Sequence, residues 1–230
     1  MKEVVDANIF ELTSLNDLKC FRRYPRARAK NIVDVRWVFT WKGNPEKPNE
    51  SKHVKGRMTV RGFKDHDGEG LNTYAGTASR WGQRIVNAVT AQEDDWVLFS
   101  FDVSLAFAKG LTFEELAELT GEPLRVVQFE VSHADAQILR KIPGYESFDP
   151  TKEVLLMKKA VYGLKDAPRA WRKKLHGLLA SFGLSSLYAD PQLYSAHKDG
   201  KCQMILSAHV DDLKGGAKKC DALRLLAHLE

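Results

Sequence analysis

His209-Val210-Asp211-Asp212-Leu213 is the stretch of sequence that decides the fold. It ends an apolar run from Met204 to Val210, which predicts a buried strand, and the polar Lys214-Gly215-Gly216 that follows predicts a break in regular structure. Two adjacent aspartates at a strand end repel each other and lose hydration, and a divalent cation relieves both costs. The pair therefore indicates a metal-binding turn, although a solvent-exposed turn can carry the same two residues.

A second strand-like run, Trp96 to Val103, also leads into a carboxylate. Because side chains alternate along a strand, Asp102 falls on the face opposite Phe101 and Val103. If the two strands pair in one sheet, Asp102 can lie beside Asp211, and three carboxylates then converge. Such a hard-oxygen site suits Mg²⁺ or Mn²⁺, and two ions about 4 Å apart can serve in-line phosphoryl transfer.

The chain resembles the reverse transcriptase domain of Ty1/copia-type LTR retrotransposons. The resemblance rests on five blocks in the family's order: Lys55–Phe63, Phe101–Gly110, Lys158–Trp171, Ala189–Tyr194 and His209–Leu213. Three departures stand out. His209 occupies the place of the usual tyrosine, the segment between Gly110 and Lys158 is longer than usual, and the residues after Asp212 form a poor strand.

The resemblance implies an α+β fold with right-hand polymerase fingers and palm. The palm would be an antiparallel sheet with packed helices, and the thumb would be largely missing. Residues 1–34 would form an N-terminal basic extension and residues 35–230 the fingers and palm. Within these, the fingers would cover about 35–95 and 111–157, and the palm about 96–110 and 158–230.

The resemblance also implies which residues act in catalysis. Asp102, Asp211 and Asp212 would be catalytic and would hold two Mg²⁺ or Mn²⁺ ions, with the backbone carbonyl of Val103 as a further ligand. His209, like Arg61, would contact nucleic acid.

The resemblance further implies a nucleotide-binding set: Lys55, Arg57, Phe107, Tyr162 and Gly163. Lysine supplies a point charge and arginine a bidentate contact to phosphate, but the sequence does not fix which of the two meets the triphosphate. Phe107 would exclude a 2′-hydroxyl, or else be an ordinary core residue. Gly163 would allow close approach to the nascent base pair, or else serve only a turn with positive φ.

Composition agrees with a globular protein that binds a polyanion. The chain has 230 residues, 43% of them hydrophobic, and a formal net charge of +5. Residues 19–64 contain 14 basic and 3 acidic side chains and therefore carry +11. A basic segment of this kind suggests a nucleic-acid partner, whereas its alternative is a solvated surface. The three widely spaced cysteines indicate free thiols in a reducing compartment, and no stretch predicts a membrane span.

Two helices are predicted with their caps. Helical spacing of Ala78, Trp81, Ile85, Ala88 and Val89 predicts an amphipathic helix capped by Ser79 or Thr77. Asp166 predicts the N-cap of a second helix, whose apolar positions are Trp171, Leu175, Leu178, Leu179 and Phe182.

The function that follows is RNA-directed DNA polymerisation: a primer 3′-hydroxyl attacks the α-phosphate of a dNTP. Its partners would be an RNA template, a DNA primer and dNTPs. The resemblance adds the integrase and ribonuclease H of a Pol polyprotein, in an intracellular location and without a membrane. Two alternatives remain: a truncated, inactive retroelement relic that only binds nucleic acid, and a metal-dependent phosphodiesterase.

Overall fold

The structure, a computed structural model, describes residues 2–43 and 52–229. The chain divides into two compact units, each built from two separated segments. Unit 1 contains Met1–Thr73 and Leu111–Ala167, and unit 2 contains Tyr74–Gly110 and Pro168–Glu230. Each unit has its own five-stranded sheet, and helices accompany both, so the α+β class is confirmed.

The strands, in chain order, are β1 Phe21–Pro25, β2 Ile32–Lys42, β3 His53–Val60, β4 Trp96–Asp102, β5 Gln128–Glu130, β6 Glu153–Met157, β7 Ser185–Ser186, β8 Leu193–Lys198, β9 Lys201–His209 and β10 Asp212–Lys218. The α-helices are α1 Lys2–Asp17, α2 Arg80–Thr90, α3 Phe113–Thr120, α4 His133–Leu139, α5 Ala167–Phe182 and α6 Lys219–Leu229.

The sheet of unit 1 has the strand order β1-β6-β5-β2-β3. The pair β2–β5 is parallel and the other pairs are antiparallel. Residues 1–34 supply α1 and β1, and β1 pairs with β6 at one edge of this sheet. The unit boundaries also differ from the predicted lobes, because residues 74–95 group with unit 2 and residues 158–167 with unit 1. The functional division into extension, fingers and palm stays a prediction.

The sheet of unit 2 is antiparallel, in the order β4-β10-β9-β8-β7. One face packs on α5 and α6 around a core that includes Trp171, Leu175 and Leu179. These side chains recur at every fourth residue, as the sequence predicted, and so lie on one side of α5. The opposite face packs against α2, where Val86 contacts Leu193 and Ile205.

The weak strand predicted after Asp212 was wrong. β10 runs through Lys214, Gly215 and Gly216 and lies between β4 and β9. A side chain at Gly215 would lie 2.4 Å from the Phe99 ring, and one at Gly216 would lie 1.8 Å from Thr90 Oγ1. The glycines are therefore needed for close packing on both faces, and tertiary contacts outweigh their poor strand propensity.

The apolar face predicted for α2 was also wrong in part. Ser79 caps the helix as predicted, with its Oγ accepting from the N–H of Gly82 at 2.8 Å. The buried positions of the helix are Gly82, Val86 and Thr90, whereas Trp81 is 71% exposed. The face that packs is thus the one with small or β-branched residues, because the helix lies close to the sheet.

Among the described residues, no helix combines the length and hydrophobicity required to cross a bilayer. None of the three cysteines, which all lie within the described residues, forms a disulfide, and Cys20 is buried.

Candidate functional site

The two aspartates of the deciding stretch lie at a tight hairpin in unit 2. β9 ends at His209 and β10 begins at Asp212, which are paired, so Val210 and Asp211 alone form the turn. Val210 has a φ of 56°, an uncommon conformation for a β-branched residue. Trp171 Nε1 donates a hydrogen bond to the Val210 carbonyl at 2.7 Å and supports this turn from below. A backbone outlier held in place by a core side chain is typical of functional turns.

Asp102 on β4 lies directly opposite Asp212 on β10. The N–H of Val103 donates to the carbonyl of Asp211 at 2.9 Å, and this bond marks Asp102 and Asp212 as a non-hydrogen-bonded pair. In such a pair the side chains share one face and approach most closely, with Cα atoms about 4.5 Å apart. Both aspartates are exposed. Like charges placed opposite each other destabilise a sheet unless a cation lies between them.

The predicted meeting of Asp102 with Asp211 needs a correction. β4 pairs with β10 and not with β9, so Asp212 takes the opposing position and Asp211 lies in the turn. The described residues contain no group of three or more His, Cys, Asp or Glu side chains that could hold a metal ion. The opposed pair supplies carboxylate oxygens, the hard donors that a divalent cation prefers, and a metal site at this pair stays a prediction.

His209 is exposed and lies opposite Asp212 on the other side of β10. Asp102, Asp212 and His209 thus form one cross-strand row on the open face of the sheet. The structure brings together these three of the predicted site residues of unit 2.

Phe107 lies in a short 3₁₀ helix, Ala106–Lys109, directly after the Asp102 strand. It is half-buried and packs against the core of unit 2. The residue before this helix turns the chain with a positive φ, 56° at Leu105. A structural role for Phe107 is thus present, and the predicted contact with the nucleotide sugar stays a prediction.

The nucleotide-binding candidates of unit 1 gather on one side of β3. Its buried face contains Met58 and Val60, so Lys55 and Arg57 alternate onto the other, more exposed face, as predicted. The Arg57 guanidinium lies over the ring of Tyr162, 5.9 Å from its centroid. This cation–π contact joins two of the predicted residues into one basic and aromatic surface.

Backbone conformation and packing explain a glycine at position 163 without any ligand. The φ of Gly163 is 98°, and a Cβ there would lie 1.9 Å from the carbonyl oxygen of Val60. The neighbouring Tyr162 carbonyl accepts from the N–H of Val60 at 2.8 Å. The backbone of the Tyr162-Gly163 turn therefore packs directly against the backbone at the end of β3. This position is compatible with both alternatives for Gly163, approach to the nascent base pair and a turn that only requires positive φ.

Gly163→Ala is expected to lower the free energy of unfolding by about 3 kcal/mol. The cost of holding an alanine at positive φ adds to the cost of the steric overlap between its Cβ and the Val60 carbonyl. Urea denaturation of the purified chain measures this. Gly144→Ala is the matched control in the same unit, since Gly144 has a φ of 89° and no atom within 4 Å of the added methyl. The control should lose only about 1–2 kcal/mol. Equal losses for the two variants would show that the close approach at Gly163 has no energetic weight.

Arg61 is held by an acidic partner. Its guanidinium lies 3.1 Å from Asp34, which also binds Lys64 at 2.9 Å. Burial acts to raise the pKa of Asp34, but the hydrogen bond from Lys64 and the charge of Arg61 outweigh it and lower that pKa. A contact between Arg61 and nucleic acid would therefore share this guanidinium with Asp34.

A buried ionic cluster in unit 1 was not predicted. Arg125 bridges Asp65 and Asp166, and the side chains of the three residues are at most 9% exposed. Asp65 also accepts from Asn31 Nδ2 at 2.8 Å. Asp166, predicted as a helix cap, thus pairs with Arg125, and its Oδ1 has no hydrogen-bond partner among the described residues. No local sequence signal marks this pairing, because its members are 41 and 60 residues from Arg125.

The family described as "Reverse transcriptase (RNA-dependent DNA polymerase)" matches residues 126–225. Two relatives from Arabidopsis thaliana, the retrovirus-related Pol polyproteins from transposons RE2 and RE1, are 26% and 27% identical over 82% and 79% of this chain. The Pol polyprotein from transposon TNT 1-94 of Nicotiana tabacum is 25% identical over 88% of this chain.

The chain spans only a small part of these relatives, 11% of the two from Arabidopsis and 14% of the one from tobacco. The family match covers three of the five sequence blocks: Lys158–Trp171, Ala189–Tyr194 and His209–Leu213. The resemblance noted from the motifs is confirmed: residues 126–225 match the reverse transcriptase family, and most of the chain is similar to the Pol polyproteins of copia-type retrotransposons.

Proposed function

We propose that this chain is an RNA-directed DNA polymerase domain that transfers a nucleotide from a dNTP to a primer 3′-hydroxyl. The observation that supports this best is the direct opposition of Asp102 and Asp212 on an open sheet face, beside a strained two-residue turn. An unrelieved pair of opposed carboxylates is costly for the fold and useful for binding a cation. Together with the family likeness, it favours nucleotidyl transfer.

In the proposed reaction, two Mg²⁺ or Mn²⁺ ions would activate the primer hydroxyl and stabilise the charge on the transferred phosphate. Asp102 and Asp212 would hold them, with Asp211 and the Val103 carbonyl as further oxygen donors. Positioning and charge neutralisation by these groups supply most of the rate, because phosphoryl transfer needs little covalent chemistry from the protein.

The remaining predicted residues take roles around the substrate. Lys55 and Arg57 would bind the triphosphate, and Tyr162 with Gly163 would lie against the nascent base pair. Phe107 would exclude a ribonucleotide.

Nucleic acid would meet Arg61 and His209. We assign the chain to the fingers and palm of a right-hand polymerase on the strength of its family. Its partners would be an RNA template, a DNA primer and dNTPs inside the cell, with the integrase and ribonuclease H of a Pol polyprotein.

Primer extension tests the proposal and separates it from its rivals. The purified chain is given a labelled DNA primer on an RNA template, with dNTPs and either Mg²⁺ or Mn²⁺. The double variant Asp211→Asn, Asp212→Asn serves as the control for contaminating polymerase. We expect the wild-type chain to lengthen the primer and the double variant to leave it unchanged.

Two results would contradict the proposal. Shortened strands in the absence of dNTPs would indicate a phosphodiesterase. Salt-sensitive binding of primer–template without extension would indicate a relic that only binds nucleic acid. One feature of the sequence that favoured a relic, a poor strand after Asp212, is not found, because β10 is a complete strand.

A further inference from the structure

Lys214 lies on the same sheet face as the opposed aspartates, one row further along. Directly paired residues share a face, and residues two apart on a strand do as well. The first row contains Asp102, Asp212 and His209. The next contains Ser100, Lys214 and Ser207, in the order β4, β10, β9. Lys214 thus lies on the middle strand, one row away from the two opposed aspartates and on the same face.

The positive charge of Lys214 is not neutralised by an ion pair within the described residues. The side chain is half-buried, and no hydrogen bond or ion pair joins its ammonium to another residue in the described ranges 2–43 and 52–229. Both of its cross-strand neighbours are serines. Lys218, four residues further along the same strand and on the same face, differs in this respect because its ammonium lies 2.6 Å from Asp95. Lys214 is therefore the lysine of β10 whose field acts on the carboxylate face.

We propose that Lys214 is a built-in counter-ion of the Asp102–Asp212 pair and weakens the binding of a divalent cation to the protein alone. The inference rests on the proposed function of this face. Lys214 partly offsets the repulsion between the two carboxylates, as a bound metal would. It also repels an incoming cation. The phosphates of a nucleotide bring compensating negative charge, so metal binding becomes coupled to nucleotide binding.

Binding of Mn²⁺ alone tests this inference without any enzymatic readout. Free Mn²⁺ is followed by electron paramagnetic resonance while the metal is titrated into the full chain. At low ionic strength, Lys214→Met should bind Mn²⁺ about three- to tenfold more tightly than the wild type, as expected for removal of one charge about 7 Å from a divalent ion in a high dielectric. The difference should shrink in 0.5 M KCl because salt screens an exposed pair.

Three matched variants make the result specific. Lys214→Arg keeps the charge and should bind Mn²⁺ like the wild type. Lys218→Met removes a lysine of the same strand that is neutralised by Asp95, and it should also leave the affinity unchanged. Adding Asp102→Asn to Lys214→Met should abolish the gain, which locates the Mn²⁺ at this pair. Thermal melting of each variant checks that the fold is retained.

The inference is overturned if Lys214→Met binds Mn²⁺ no more tightly than the wild type, or if Lys218→Met shows the same gain. Absence of Mn²⁺ binding in every variant would overturn it too, since Lys214→Met should bind most tightly. Failure of the proposed polymerase function is a separate result. In that case primer extension would be absent while the affinity difference for Mn²⁺ persisted.

Discussion

Asp102→Asn is expected to lower the rate of primer extension about a thousandfold while leaving the fold intact or slightly more stable. The variant removes one carboxylate of the opposed pair, and loss of a metal-binding charge at a phosphoryl-transfer site costs several kcal/mol of transition-state stabilisation. The same change relieves the repulsion with Asp212 across the two strands. Relief of a directly opposed like-charge pair should raise the free energy of unfolding by a few tenths of a kcal/mol.

The opposite signs of the two effects separate a catalytic role from a structural one. Single-nucleotide incorporation and thermal melting are measured on the same preparation. Ser100→Ala is the matched control, because Ser100 lies two residues earlier on the same strand and the same face. It should extend primers within about threefold of the wild type. Retention of more than a tenth of the activity by Asp102→Asn would argue against a catalytic role for this carboxylate, and a large loss of stability would point to a structural one.

Arg125→Met is expected to lower the free energy of unfolding by about 3–5 kcal/mol, the usual cost of leaving buried charges without their partner. Two carboxylates, Asp65 and Asp166, lose the guanidinium that bridges them, and their side chains are only 2% exposed. Arg125→Lys should recover little, because an ammonium is a point charge and cannot reproduce the fork of a guanidinium between two carboxylates. Urea denaturation measures the loss for each variant.

Arg26→Met provides the control for this prediction. Arg26 also makes an arginine–carboxylate pair in unit 1, at 2.9 Å from Glu130, but these side chains are 33% and 43% exposed. An exposed pair contributes about 0–1 kcal/mol, so the control should lose no more than that. Replacing both acids by asparagine in the Arg125→Met background should restore part of the stability. A loss below 1 kcal/mol for Arg125→Met alone would mean that solvent reaches the cluster.

The cluster matters for the proposed function because of where its members lie. Asp65 follows the end of β3, and Asp166 follows the Tyr162-Gly163 turn by three residues. Arg125 thereby ties together, within unit 1, the strand with Lys55 and the turn proposed to meet the nucleotide. The close backbone contact of Gly163 with Val60 joins the same two segments a second time.

Those features of the chain that depend on local periodicity could be predicted from the sequence. Alternation along β3 placed Lys55 and Arg57 away from Met58, and the structure agrees. Spacing by four residues identified the buried side of α5, and Ser79 was recognised as a helix cap. Each depends on neighbours within about one or two helical turns, where side-chain chemistry acts directly on the backbone.

Features that depend on distant partners could not be predicted in this way. The sequence predicted a break in regular structure at Gly215 and Gly216, yet both lie in the central strand β10. The reason is that Phe99 and Thr90 occupy the space that side chains at these two positions would need. The sequence predicted Trp81 as a core residue of α2, yet the buried residues of this helix are Gly82, Val86 and Thr90.

The sequence by itself indicated the α+β class, the family resemblance and the set of three candidate carboxylates, because these depend on residue type and order. Only the tertiary structure decided which carboxylate opposes Asp102. Because β4 pairs with β10 and not with β9, Asp212 takes the opposing position and Asp211 lies in the turn. The tertiary structure also placed Lys214 beside the opposed aspartates and gave Asp166 its partner Arg125. Strand order and long-range ion pairs are fixed by the packing of the whole unit, and no local pattern encodes them.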